Sequence, residues 1–342
     1  MILTSLQQFN RQMQPAIDQT MQRVVLSHPL IHHYQGLKEM LSYHLGWDAA
    51  SNRSEVQGKR IRPLLVLLTC AACNDHRWEV ALPAAAAVEL LHNFSLIHDD
   101  IEDRSPLRRG RETVWKKWGD ALAINAGDAL FSLAFQAIYL LQETCPEKIV
   151  LQSLHIMNNT CVQLTGGQHL DISYENERYI GLDDYWKMIE GKTAALISAC
   201  TRLGALIGGA PDQQQHNLSE FGRSLGIAFQ IQDDWLGIWG NAAQTGKSTE
   251  SDLLAGKKSL PIVFALQKRG EFAERWLSGP IQPDEIEYLA GLLIEEGAQR
   301  HTEEQAEVYT RQALQSLENA NLTNDAGEAL HELALTLLKR SS

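Results

Sequence analysis

The chain has 342 residues, 44% of them hydrophobic, and a formal net charge of -12. That is enough apolar residue for a large buried core, and the acidity counts against a nucleic-acid partner, whose binder usually shows a basic face. An acidic chain that holds phosphorylated molecules needs local Lys/Arg clusters, or metal ions bridging carboxylate to phosphate.

The periodicity is helical almost throughout. The spacing predicts helices near 4–27, 30–45, 55–73, 79–104, 117–144, 147–176, 183–209, 215–238, 249–269, 285–297, 303–320 and 324–340. Leu90, Phe94, Ile97 and Ile101 trace one apolar stripe; Ala329, Leu330, Leu333, Ala334, Leu337 and Leu338 trace another. Breaks fall at Pro146, Gly181, Gly209–Pro211 and Gly279–Pro280, and 239–248 reads as a loop. No sustained period-two alternation and no Asn-Gly or Asp-Gly hairpin turn is visible. With no linker composition and no internal repeat, one all-α domain over 1–342 is the expectation.

The N-terminus lacks the basic and apolar regions of a signal peptide, and the longest uncharged apolar run, Pro63 to Asn74, is too short to span a bilayer. Five cysteines (Cys70, Cys73, Cys145, Cys161, Cys200) lie in apolar helical stretches and read as reduced packing residues of a cytoplasmic protein. Cys70 and Cys73 have redox-motif spacing, but no βαβ pattern surrounds them.

Four constellations carry chemistry. In His98-Asp-Asp-Ile-Glu-Asp103, Asp99 and Asp103 are i,i+4 neighbours that share a helical face with His92 and Leu96. Two carboxylates one turn apart repel unless a cation sits between them, and Mg²⁺ takes one or two carboxylates plus phosphate oxygens. Ser105-Pro-Leu-Arg-Arg-Gly110 then brings Arg108 and Arg109 close behind; guanidinium matches phosphate with paired donors. Gly226 to Asp234 is a second acidic cluster, with Gly226, Gln230 and Asp233/Asp234 on one face. Basic segments complete the set: Gly58-Lys-Arg-Ile-Arg-Pro63, Gly191-Lys-Thr193, and Lys247, Lys257 and Lys258 after the second cluster. Gly191 lies mid-helix, where glycine costs about 1 kcal/mol relative to alanine. Thr245-Gly-Lys-Ser248 is not a P-loop, because five residues separate Gly240 from Gly246 where four are needed and no strand leads in.

These pieces, in this order from Gly58 to Pro261, resemble the trans-isoprenyl diphosphate synthase (polyprenyl synthetase) family. The resemblance also covers Gly167-Gln168…Asp171 and Gly-Lys-Lys-Ser-Leu-Pro261. It implies a single helical bundle around a deep central cavity, usually a homodimer, with the two aspartate motifs facing across its mouth. It implies Lys59, Arg62, His92 and Arg109 for isopentenyl diphosphate. For the allylic diphosphate (dimethylallyl, geranyl or farnesyl) it implies Arg108, Lys192, Thr193, Gln230, Lys247 and Lys257. Asp99, Asp103 and Asp233 look like direct Mg²⁺ ligands, supported by Asp100 and Asp234. Phe94 and Ser95, five and four residues before Asp99, look like the chain-length pair of a geranylgeranyl diphosphate synthase, with farnesyl diphosphate the nearest alternative product.

The chain departs from the family pattern in one place. Gly237 stands where the second motif commonly has a third aspartate, and the expectation is that Gly237→Asp leaves the reaction unchanged. A class I terpene cyclase is disfavoured because it has no second diphosphate to bind. A non-catalytic subunit is disfavoured because the first motif and its arginines are intact, and a plain helical scaffold leaves the ordered charges unexplained.

Overall fold

The computed structural model describes residues 4–48, 58, 60–75, 77–240 and 252–338. Its contacts divide the chain into two compact units, one formed by 1–157, 200–215 and 322–330, the other by 158–199, 216–321 and 331–342.

In the first unit α1 (Ser5–Leu26) opens with a capping box between Thr4 and Gln7 and buries Met13, Ile17 and Met21. After α2 (Gln35–His44) comes α3 (Ile61–Cys73), apolar nearly all round, as a helix enclosed by others must be. Gly204 and Gly208 permit close approach to it: an added Cβ at Gly204 would meet the Val66 carbonyl oxygen at 2.4 Å. The central helix α4 (Leu82–Glu102) follows a 3₁₀ turn at Trp78–Ala81. Its run Ala84–Ala87 is fully buried and small, so neighbouring helices come close, and it packs chiefly against α6 (Asp120–Tyr139). Each fully buried Leu or Ile in this core contributes about 1.5–3 kcal/mol relative to exposure.

One departure from the all-helical expectation lies here. Between α4 and α5 (Val114–Trp118) the chain forms an antiparallel hairpin, β1 (Leu107–Arg108) with β2 (Arg111–Glu112). Its two central residues, Arg109 and Gly110, both have positive φ, 51° and 73°, as a type I′ turn requires. The expectation missed it because Arg-Gly is not the usual spelling of that turn and the strands are two residues long.

The second unit takes in the C-terminal part of α7 (Glu147–Glu175), then α8 (Leu182–Ile189), a π-helical turn at Glu190–Ala194 and the start of α9 (Ala195–Ile207). Most of α10 (Asp212–Trp239) belongs to it, with α11 (Leu260–Lys268), α12 (Glu271–Leu277), α13 (Ile286–Glu295), α14 (Ala298–Asn319) and the end of α15 (Asp325–Leu338). Tyr185, Ile189, Ile227, Ile231, Leu260 and Val263 form one apolar core. Phe272, Leu289, Leu293 and Ala298 belong to another. Among the described residues of the helix expected over 249–269, 252–259 are not helical and α11 starts at Leu260; α12 lies where no helix was expected.

Two stretches, Trp78–Glu102 and Asp120–Glu143, are long and apolar enough to cross a membrane by length and composition. They passed unnoticed in the sequence because they carry acidic residues; both bury an apolar face in the first unit's core.

Candidate active site

The first unit gathers a cluster of arginines around the end of α4. The helix stops at Glu102, and Arg104, in left-handed backbone, turns the chain so that the Ser105 amide donates to the Asp100 carbonyl at 3.0 Å. The hairpin then folds back. Arg108 donates from Nε to both Asp100 carboxylate oxygens, at 2.8 and 3.0 Å, and its Nη2 lies 2.8 Å from Oδ1. Asp100 is buried, and burial pushes its pKa up to about 6 although Arg108 opposes the shift. Asp99 is half-buried and Asp103 exposed, so the pair one turn apart is accessible while the acid between them is tied down.

Adjacent arginines diverge at the turn. Arg108 faces Asp100, whereas the Arg109 guanidinium covers Gly58, where an added Cβ would lie 2.8 Å from Nη2. Gly58, with φ 67°, takes a backbone conformation that favours glycine. Arg62 Nη1 lies 3.2 Å from His92 Nε2. Since guanidinium only donates, Nε2 is the acceptor and the ring proton sits on Nδ1. Burial, then Arg62, Arg109 and Arg108, hold the His92 pKa well below its ordinary value; burial and the same hairpin arginines push His44 down to about 3. The arginines thus crowd two neutral histidines, a strongly positive locale in an acidic chain. Arg60, preceding α3, also takes left-handed backbone at φ 49°, a strain of about 1–3 kcal/mol.

In the second unit a hydrogen-bonded chain runs from the π-helical turn to α10. Thr193 Oγ1 donates to Gln230 Oε1 at 2.7 Å, and Gln230 Nε2 donates to Asp234 Oδ1 at 2.9 Å. The other oxygen of Asp234 accepts from the Tyr185 hydroxyl at 2.7 Å and the Leu260 amide at 2.8 Å. Asp234 is buried and its pKa is pushed up to about 7, chiefly by burial and then by Asp252; the three donors oppose this. Asp233, next to it, is exposed. Lys192 pairs with Asp171. Gly191 has its reason: a Cβ there would meet the Gln163 carbonyl at 2.7 Å and Gly167 Cα at 2.8 Å, and a Cβ on Gly167 would meet the Lys192 amide at 2.0 Å. This glycine-on-glycine crossing coincides with the π turn that presents Lys192 and Thr193.

Gly237 is not vacant space. An added Cβ would lie 2.3 Å from Asp252 Oδ2, and the Asp252 amide donates to the Gly237 carbonyl at 3.1 Å. An aspartate placed there would therefore meet a carboxylate already in place, a matter of packing separate from the expectation that the reaction type is unchanged. Lys257 is exposed, while Lys258 is buried over the Trp276 ring and donates to the Gly256 carbonyl. Phe94 turns toward α6, its ring centroid 4.8 Å from His98 and 5.1 Å from Phe131, and Ser95 Oγ bonds the His92 carbonyl at 2.8 Å. Lys59 and Lys247 lie outside the described residues. Sequence reasoning missed Glu89, Arg60, His44, Tyr185 and Asp252. Only Arg60 carried a signal, from its place inside the basic segment.

The helical fold is that of the isoprenoid-synthase type. The sequence profile of the family described as polyprenyl synthetase matches residues 48–290, and the chain belongs to that family. It is 37% identical over 316 residues to a (2E,6E)-farnesyl diphosphate synthase of Mycobacterium tuberculosis, covering 90% of this chain and 87% of that protein. It is 42% identical over 239 residues to a geranylgeranyl diphosphate synthase of the same organism, covering 69% and 67%. The fold is similar to a geranylgeranyl pyrophosphate synthetase from Pyrococcus horikoshii, with TM-score 0.87, 29% identity and 98% of both chains covered. The chain is a trans-prenyltransferase that builds prenyl diphosphates by chain elongation.

Proposed function

We propose that this enzyme condenses isopentenyl diphosphate with dimethylallyl, geranyl and farnesyl diphosphates to give geranylgeranyl diphosphate, in a Mg²⁺-dependent reaction. The observation that carries the reading is the Arg62–His92 pair beside Arg109, a preformed cationic cluster apart from the Lys192, Thr193 and Gln230 set. Two such sets suit two diphosphates, which a cyclase does not need. Arg62, His92 and Arg109, with Lys59, bind and orient isopentenyl diphosphate. Arg108, Lys192, Thr193 and Gln230, with Lys247 and Lys257, hold the allylic diphosphate and stabilise the charge that grows on it as the C–O bond breaks. The isopentenyl double bond attacks the resulting allylic cation, and apolar walls keep water from it. The departing pyrophosphate, held by these cations, accepts the final proton.

The donor set fits Mg²⁺. Among the described residues no three His, Cys, Asp or Glu side chains form a ready metal cage. Mg²⁺ does not need one, because it binds through one or two carboxylates and completes its shell with phosphate oxygens and water. Asp99, Asp103 and Asp233 are the accessible carboxylates that would hold it, with Asp100 and Asp234 supporting. When bound it supplies Lewis-acid neutralisation of the diphosphate.

A single catalytic domain over 1–342 agrees with the near-complete coverage of solved relatives. A homodimer is supported by exposed Leu122, Ile124 and Tyr139 on α6 and Leu151 on α7. Buried free thiols, with Cys70 and Cys200 pushed up to about 12 by burial, suit a cytoplasmic, reducing setting.

The test is product identification with isopentenyl diphosphate, each allylic primer in turn and Mg²⁺. Geranylgeranyl diphosphate is expected from the wild type, longer product from Phe94→Ala and shorter product from Ser95→Phe. A cyclised hydrocarbon, or no condensation with any primer, would overturn the reading. Farnesyl diphosphate as end product would make the chain a farnesyl diphosphate synthase.

A further inference from the structure

The left-handed backbone at Arg60 is imposed from outside, because a residue with a Cβ does not choose φ 49° by itself. The restraint is a buried double ion pair. The Arg60 side chain is 4% exposed; Nη1 donates to Glu89 Oε1 at 2.9 Å and Nη2 to Asp18 Oδ1 at 3.1 Å. Glu89, on α4, is itself buried and also accepts from Asn93 Nδ2 at 3.1 Å.

A buried ion pair is a weak source of stability, since desolvation offsets most of its attraction. A strained residue clamped by one points instead to something the start of α3 must present. Two residues after Arg60, Arg62 reaches His92, which stands three residues after Glu89, one turn along the same helix. Two residues before Arg60, Gly58 carries the Arg109 guanidinium. Arg60, Arg62, Arg108 and Arg109 repel one another, and Glu89 is the carboxylate whose charge acts on Arg109 as well as on Arg60. Its removal releases Arg60 and leaves the arginines less compensated.

We propose that Glu89 is a positioning residue for isopentenyl diphosphate: through Arg60 it holds the start of α3 so that Arg62 stays on His92 and Arg109 stays on Gly58. The proposal rests on the reading of Arg62, His92 and Arg109 as the isopentenyl-diphosphate set. Glu89→Gln keeps the shape and removes the charge. Its KM for isopentenyl diphosphate should rise about tenfold, while kcat and the allylic KM stay within about twofold, the signature of lost ground-state binding. Calorimetric titration with isopentenyl diphosphate alone should show the same loss. An unchanged isopentenyl-diphosphate KM, or an equal rise for both substrates, overturns the proposal.

Arg60→Gly combined with Glu89→Gln guards against a folding defect, because it removes both charges of the Arg60–Glu89 pair, leaves Asp18 with access to water, and supplies the residue that φ 49° favours. This double variant should melt close to wild type and still bind isopentenyl diphosphate about tenfold more weakly. Wild-type-like binding in it would show the clamp to be packing alone. A wild type that condenses isopentenyl diphosphate with no primer fails the functional reading itself, and the proposal with it. An active wild type beside an unaffected Glu89→Gln fails only the proposal.

Discussion

The two acidic motifs share a design and differ in how it is held. In each, an accessible carboxylate neighbours a buried one: Asp99 and Asp103 flank Asp100, and Asp233 precedes Asp234. Asp100 is neutralised by a charged partner, the bidentate Arg108. Asp234 is satisfied by uncharged donors, Tyr185, Gln230 and the Leu260 amide. Burial raises both pKa values, to about 6 and about 7. A charged partner fixes a cation among the carboxylates of the first motif. The second motif uses neutral donors, and its cation, Lys192, is fixed separately by Asp171.

Removing an accessible carboxylate should have the largest effect. Asp99→Ala or Asp103→Ala should lower turnover by about 10²–10³-fold or more while the helical circular dichroism persists. Full activity in excess chelator would break the comparison by removing the metal from it.

Gly237→Asp tests the asymmetry between the motifs next. With Asp252 2.3 Å from the added Cβ, overpacking and like charge should cost about 1–3 kcal/mol in chemical denaturation, recovered when Asp252→Gly is added. An unshifted unfolding midpoint for Gly237→Asp alone would show that Asp252 yields freely.

Substrate selectivity should follow the division between the clusters. Arg109→Ala or His92→Ala should raise the KM for isopentenyl diphosphate, and Lys192→Ala or Gln230→Ala that for the allylic primer, each about tenfold. Equal effects on both substrates in all four variants would merge the two sets.

The smallest expected difference concerns the buried acids. Arg108→Ala should cost about 1–3 kcal/mol of stability, and Tyr185→Phe, which leaves Asp234 two of its three donors, about 1 kcal/mol. Equal losses in thermal melts would mean that the charge on the partner is immaterial.

Helical class, motif order and the pairing of Asp99 with Asp103 were legible in the amino-acid sequence, because these are local properties. Helical spacing puts Asp99 and Asp103 on one face whatever surrounds them. Arg109-Gly110 encoded a turn too, yet two-residue strands carry no readable period, so the hairpin that separates Arg108 from Arg109 was not legible. Gly191 was visible as a costly residue, but its reason, the Gly167 crossing, lies 24 residues away in the chain. Which acid of each motif is buried and what satisfies it, the place of Asp252 beside Gly237, and the pairing of Glu89 with Arg60 emerge only in the folded chain. Those outcomes depend on contacts between residues distant in sequence, where desolvation and close packing, which no local pattern records, set the energies.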